Sequence, residues 1–337
     1  MKLNIKTILI ILFSLLFGNL FAQNILSLQE VIDIAIEKNY NVLISANQVE
    51  MARINNTLGN AGMMPQINFK ASDRFEFGNS YQKFSDGSEA DNLNFTTNIL
   101  NAGPELNWTV FDGGRMFATK HRLEVAQEMA EIAFEDEKLQ IKYNVSKAYF
   151  DVVKNIQLLK AMNDIIEISQ QRLQLSENAY NNGMLNKSDL LQSQIDLNIS
   201  QKNIVEQDYI IEQAYDRLKV LMGTTNQDFI VDDEFETDFS IDFDVLNEKF
   251  KDSNTSLLIL EKQMNISEFS MKESKRNLLP RLNINAAYNL YRTVNSSGNI
   301  IENFSFGPHL GASLVIPIYQ SGDYSRQVER EKINFKD

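Results

Sequence analysis

The sequence predicts an α+β membrane protein in which long α-helical hairpins and four transmembrane β-strands are set out as an internal duplication. Three observations predict it. A series of motifs recurs in the same order along the chain; two stretches in each copy alternate apolar and polar residues with period two; and residues 115–181 contain neither proline nor glycine.

The duplication comes first, because it orders everything else. Asn39-Tyr-Asn-Val-Leu reappears as Asn254-Thr-Ser-Leu-Leu, and Met64-Pro65-Gln66-Ile67-Asn68 reappears as Leu279-Pro280-Arg281-Leu282-Asn283, both offset by 215. Gly103-Pro104-Glu105-Leu106 then matches Gly307-Pro308-His309-Leu310. Finally Thr109 to Gly114 matches Pro317 to Gly322. A period this long is no solenoid unit, so the chain holds two copies of one supersecondary assembly. The first repeat covers 23–223 and the second 245–337, joined by an acidic linker at 224–244.

Each copy opens with a helix, expected over 27–60 and 245–277. Leu28, Val31, Ile32, Ala35, Ile36, Val42 and Ile44 recur mostly at helical spacing. Ser27 with Glu30 three residues on forms a capping-box signature.

A β-hairpin follows, over 65–111 and again over 280–319. In the first copy Ile67, Phe69, Ala71, Phe75 and Phe77 share one parity, with Asp73 breaking the run; Gln66, Asn68, Lys70, Ser72, Arg74 and Glu76 share the other. Leu106, Trp108 and Val110 alternate with Glu105, Asn107 and Thr109. In the second copy Leu282, Ile284, Ala286, Tyr288 and Leu290 oppose Asn283, Asn285 and Asn289, while Leu310, Ala312, Leu314, Ile316 and Ile318 supply the fourth strand. Such strands suit a membrane barrel with a wet lumen, and equally a soluble sheet with one face on a core. The exported context and the polar connectors 78–98 and 292–305 favour the barrel. Ile67, Phe69, Phe75, Phe77, Leu106, Trp108, Val110, Ile284, Leu314 and Ile316 are then expected to face lipid. Lys70, Arg74, Glu76, Glu105, Asn283 and Asn285 are expected to face the lumen. Four strands cannot close a barrel, and an open edge in lipid leaves backbone groups unsatisfied. Copies must therefore share one barrel.

The long helical hairpin is expected over 113–222. Ile141, Val145, Ala148, Val152, Ile156 and Leu159 average a 3.6-residue step, and about 65 to 70 helical residues span roughly 100 Å. Asp112 is placed to cap this helix. Asn181-Asn182-Gly183 breaks it, Gly183 suits the residue after the helix, and a second helix restarts near Ser188-Asp189. In the second copy a helix start is expected over 323–337, and only residues 323–337 follow Gly322. The second hairpin is thus expected to be missing from this chain.

Composition closes off other classes. A formal net charge of −13 argues against nucleic acid as a partner, and the absence of cysteine excludes disulfides and thiolate chemistry. His121 and His309 lack the spacing of a metal pair or a triad, and Gly113-Gly114 lacks the following Lys-Ser/Thr of a phosphate loop. No catalytic, cofactor-binding or metal-binding residue is expected, nor an enzyme. Residues 1–22 read as a secretory signal: Lys2 and Lys6, an apolar run from Ile8 to Phe17, and a cut after Ala22. The run is too short to span a bilayer as a helix.

The residues Leu28–Asn41, Pro65-Gln66-Ile67, Trp108-Thr-Val-Phe-Asp-Gly-Gly-Arg115, Tyr180–Asp189 and Leu279-Pro-Arg-Leu282, in this order, resemble TolC-type outer-membrane efflux proteins. The resemblance covers nearly the whole chain after the signal segment. It implies a homotrimer with a twelve-stranded outer-membrane barrel and a periplasmic α-barrel. It also implies a passive export duct in a tripartite efflux or type I secretion system. The implied partners are a periplasmic adaptor (membrane fusion) protein, an inner-membrane pump or ABC transporter, and outer-membrane lipid. At the turn the resemblance implies adaptor contact by Asn182, Gly183, Met184, Leu185, Ser188 and Asp189. A plain helix–helix turn explains the same residues. No gate residues carry over, and the exported substrate stays open. An exported helical-stalk structural or adhesive protein, or a non-functional channel fragment, is the alternative reading.

Overall fold

The computed structural model of the chain describes residues 24–224, 229–233, 253–298 and 300–336. The signal segment 1–22, most of the acidic linker and residues 245–252 of the expected second-copy helix lie outside the described residues. In chain order the elements are β1 (Asn24–Leu26), α1 (Leu28–Lys38), α2 (Tyr40–Asn55), β2 (Gln66–Lys83), β3 (Glu89–Phe111), α3 (Arg115–Asn181) and α4 (Lys187–Leu221). After these come β4 (Phe229–Val231), α5 (Thr255–Arg276), β5 (Arg281–Asn295), β6 (Glu302–Val315) and α6 (Asp323–Asn334).

The single helix expected over 27–60 is two. Its start is as expected: the Ser27 hydroxyl accepts from the Glu30 N–H, and the Glu30 carboxylate accepts from the Ser27 N–H at 2.8 Å. The Ser27 N–H and, to a lesser degree, the Ser27 hydroxyl, which also donates to the Glu30 carboxylate at 2.8 Å, hold the Glu30 carboxyl below the usual range. The break falls at Asn39, whose backbone is extended at φ −65° and ψ 130°. Its side chain accepts from the Asn41 N–H at 2.8 Å and donates to the Leu221 carbonyl at 2.7 Å. A tertiary hydrogen bond to α4 therefore fixes a residue that would otherwise continue the helix.

The duplication is visible in backbone detail. Asn254, the counterpart of Asn39, caps α5 by accepting from the Leu257 N–H at 3.0 Å. The turn from β3 into α3 uses Gly113 and Gly114 at φ 72° and 81°; their counterparts Ser321 and Gly322 lead into α6 at φ 53° and 72°. Both copies thus make the turn with two left-handed residues, a conformation that favours glycine. At Gly113 a Cβ would also lie 2.4 Å from the Leu279 Cβ, so a side chain is excluded there. Asp112 is buried and accepts from the Met116 N–H at 3.1 Å, capping α3 as its position implies.

The described residues fall into two compact units. One is built from Met1–Asn47 and Ala133–Ser253. It holds the hydrophobic core: Val31 and Ala35 of α1, Val42 of α2, Ile141, Val145, Ala148, Val152 and Val153 of α3, and Ala214 and Leu218 of α4. Leu26, Tyr149, Met222, Phe229 and Val231 complete it. Each fully buried aliphatic side chain contributes roughly 1.5–3 kcal/mol. β1 pairs in parallel with β4, and the Tyr149 hydroxyl lies 3.1 Å from the Leu26 carbonyl and 2.9 Å from the Asp232 carbonyl. Burial pushes the Tyr149 and Tyr215 phenols above their ordinary range. Beside the core, Gln207 donates to the carbonyl and side-chain oxygen of Asn155, at 3.1 Å each.

The other unit is built from Gln48–Ile132 and Asn254–Asp337. Its sheet has the order β2-β3-β5-β6, antiparallel throughout. The two hairpins of the duplication therefore lie side by side and meet at β3 and β5. The end of α5 is joined to the turn after β3 by Arg276, whose guanidinium donates to the Gly113 carbonyl at 2.8 Å. An Arg122–Glu273 pair at 2.7 Å ties α3 to α5.

Candidate functional site

In an antiparallel sheet, residues paired across strands point to the same face. The register therefore decides which of the alternating residues come together. Ile67 pairs with Leu106, Leu106 with Ala286, and Ala286 with Leu310. Phe69 pairs with Pro104, Trp108 with Ile284, and Leu282 with Leu314. These rows form one apolar face, to which Phe75 and Phe77 belong by parity; at Val110 the register shifts, and Phe111 takes the place opposite Leu282. Within it Phe69, Phe77 and Leu310 are 73%, 76% and 79% exposed, so the sheet's own unit does not cover them. Polar residues enter this face towards its far end: the Asp73 carboxylate accepts from the Asn98 amide at 2.5 Å, and Arg292 pairs with Glu302 at 2.7 Å.

The opposite face gathers the polar parity. Gln66, Asn107, Asn285 and Gly311 make one row; Asn68, Glu105, Ala287 and His309 make another. Lys70 reaches Glu105 at 2.6 Å, and Arg74 reaches Glu76 at 3.0 Å. Asn283 accepts from the Thr109 hydroxyl at 2.9 Å. All six residues expected on the wet side, Lys70, Arg74, Glu76, Glu105, Asn283 and Asn285, lie on this one face.

Two further expectations change. Neither Ile316 nor Ile318 belongs to a strand, because β6 ends at Val315, short of the expected 319. Pro317 has no N–H to donate and restricts the residue before it, which stops the ladder there. Trp108 sits on the apolar face, yet its indole N–H donates to the Met63 carbonyl at 3.0 Å and it is 37% exposed. It fastens the segment before β2 to the sheet as well as presenting apolar surface.

Both sheet margins are open among the described residues. β2 and β6 each pair on one side only, leaving a row of backbone donors and acceptors without a ladder partner on the other.

The helical turn is equally well defined. Gly183 adopts φ 73°, the Gly183 N–H reaches the Tyr180 carbonyl at 2.9 Å, and the Met184 N–H reaches the Ala179 carbonyl at 2.8 Å. This is a Schellman closure of α3. α4 starts one residue before Ser188, and its cap is Asn186, which accepts from the Asp189 N–H at 2.9 Å. Asn is a strong cap in its own right, so Ser188 and Asp189 fall into the first turn instead. Asn182, Gly183, Met184, Leu185, Ser188 and Asp189 are thereby clustered at one turn, with Met184 77% exposed. A pair of hydroxyls, Ser176 and Ser193 at 2.9 Å, joins the two helices near it.

Tyr149 and Gln207 are structural residues that the sequence alone does not single out. Tyr149 adjoins Ala148 in the apolar stripe of α3, which is the one local signal for it. Nothing local marks Gln207, whose partner lies 52 residues away.

His121 is exposed; its ring lies 2.9 Å from a Glu124 carboxylate oxygen and stacks on Phe269 at 5.6 Å between centroids. Chiefly the Lys120 ammonium, and to a lesser degree His121, holds the Glu124 carboxyl below its usual range.

A sheet with one apolar and one polar face, open at both margins and joined to long helices, defines a class of protein, and sequence comparison agrees. The sequence model of the outer membrane efflux protein family matches residues 31–224, so the chain belongs to that family. With the family comes its location, the outer membrane. Among its relatives is the outer membrane protein TolC of Escherichia coli (strain K12), 21% identical over 283 residues, covering 81% of this chain and 55% of that protein. The chain thus spans about half the length of this relative. In fold it is similar to a membrane protein from Pseudomonas aeruginosa, with a TM-score of 0.72, 13% identity and coverage of 92% of this chain and 71% of that one. It is also similar to the CmeC outer membrane channel of Campylobacter jejuni, with a TM-score of 0.70, 17% identity and coverage of 92% and 65%.

Proposed function

We propose that this chain is one protomer of a passive export duct through the outer membrane. The observation that carries the reading is the two-faced sheet with open margins. Its apolar face would meet lipid, its polar face would line the bore, and β2 of one copy would pair with β6 of the next. Four antiparallel strands put β2 and β6 in opposite directions, so that joint continues the antiparallel pattern. Three copies would give twelve strands and leave no edge, which is what hydrocarbon demands.

On this reading, the two repeats supply the strands and the helical hairpin extends from them into the periplasm. The turn at Asn182–Asp189 offers a contact for a periplasmic adaptor, through which an inner-membrane pump or ABC transporter supplies energy. This chain carries no nucleotide motif of its own. Opening and closing would be movements of helices, without covalent chemistry.

The test is to extract the chain from membranes in mild detergent and run it on an SDS gel with and without boiling. A trimer-sized band that collapses on boiling, together with flotation on phospholipid vesicles, supports the reading. A soluble monomer or dimer that does not float favours the helical-stalk alternative.

A further inference from the structure

The proposed bore wall carries charge in an unusual proportion to the rest of the chain. The chain as a whole has a formal net charge of −13. Between the levels of Gln66 and Glu76, the ionised side chains on the polar sheet face are Lys70, Arg74, Glu76 and Glu105. Two are cations and two are anions, and each cation is bonded to an anion, at 2.6 Å for Lys70–Glu105 and 3.0 Å for Arg74–Glu76. His309 stands in the same row as Glu105. Otherwise this part of the face is mostly amides and small residues. Asn68, Asn101, Asn107, Asn285 and Asn289 recur along it, with Gly103 and Gly307 leaving room between them. Beside the Lys70–Glu105 pair lies a hollow of about 610 Å³, whose lining includes Asn101, Asn289 and His309.

A charge that is already neutralised at contact distance projects little field beyond a Debye length, about 8 Å at physiological salt. Amides, by contrast, present donor and acceptor together to whatever passes. We infer that this wall is charge-compensated, and that it passes polar cargo by hydrogen bonding without sorting it by sign. The inference rests on the channel reading. Within it the two ion pairs have a specific role, each basic residue cancelling the field of its acidic partner inside the bore.

The experiment is a double-mutant cycle read as ion selectivity. The chain, wild type, Lys70→Gln, Glu105→Gln and the double variant, is reconstituted into planar bilayers. The potassium-to-chloride permeability ratio is then measured under a KCl gradient. Lys70→Gln leaves Glu105 uncompensated in every copy and should raise the ratio, on the order of two-fold. Glu105→Gln should lower it by a similar factor. The double variant should return to the wild-type ratio. Arg74→Gln should repeat the shift seen with Lys70→Gln, guarding against a local defect at one strand. Single variants that conduct with an unchanged ratio would overturn the inference while leaving the channel standing, as would a double variant displaced from wild type. A wild-type chain that inserts and never conducts would overturn the channel reading and the wall assignment with it.

Discussion

The two units of this chain handle apolar residues differently. The helical unit encloses a core of them, in which Val31, Val145, Val152 and Leu218 have no exposed surface at all, although Leu175, Met184 and Val205 on its helices stay open. The sheet displays them: Ile67, Phe69, Phe77 and Leu310 are each more than two-thirds exposed. Both units are rich in large apolar side chains, so composition does not distinguish them. What differs is where the covering surface comes from. The helical core is covered by the unit's own elements, whereas the sheet's apolar face is left open by the described residues. Water would penalise that face by about 25 cal/mol for every Å² left open, and a bilayer removes the penalty.

The comparison can be broken most forcefully in the helical unit. Val152→Asp places a carboxylate in the aliphatic core, where no surface is exposed, a class of change that costs about 4 kcal/mol or more. Urea unfolding followed by circular dichroism should show the helical signal lost at markedly lower denaturant. Phe69→Arg, on the displayed face, should leave the helical signal intact and instead weaken insertion. Its expected cost is about 2–4 kcal/mol if the side chain lies near mid-bilayer, read as folding into lipid vesicles. Equal effects of the two variants on the helical signal would erase the distinction between the units.

A smaller effect sharpens the picture of the helical unit. Tyr149→Phe removes one hydroxyl that reaches two carbonyls, on β1 and on the residue after β4, and should cost about 1 kcal/mol in the same unfolding assay.

The smallest concerns pH. The Glu30 carboxyl is held low in the folded chain, so it contributes stability at pH values above its ordinary 4.5, and this contribution is lost as pH falls through the folded value. The protection factors of the α1 amides, corrected for the pH dependence of intrinsic exchange, should therefore fall on acidification in the wild-type chain. In Glu30→Gln that added fall should vanish. An identical pH response in both would remove the capping box as a source of stability.

How much of this is legible in the sequence depends on the range of the forces involved. The strands and their alternation are readable because a period of two is set within a few residues. The Gly113-Gly114 turn is readable because its backbone demands glycine, and the Asp112 cap because capping is local. Asn39 is not: what holds it extended is a bond to Leu221, 182 residues away, and Asn39-Tyr40 looks like ordinary helix from nearby. Gln207 escapes for the same reason. The cap at Asn186 is one candidate among several polar residues in a row, and only the backbone geometry chooses between them. Following the alternation past Val315 misplaces Ile316 and Ile318, because parity continues there and the ladder does not. The partition into two faces follows from parity within each strand, but the alignment of those parities across four strands is a property of the register. No single strand contains it.

The most direct test of the central claim uses two adjacent residues. The chain has no cysteine, so Phe69→Cys and Lys70→Cys each introduce a single reactive site. Reconstituted into vesicles, both are exposed to a membrane-impermeant, charged maleimide. Position 70 should label rapidly and position 69 should be protected. Equal labelling of both would mean that water reaches both faces of the sheet, contradicting the assignment of one face to lipid and the other to the bore.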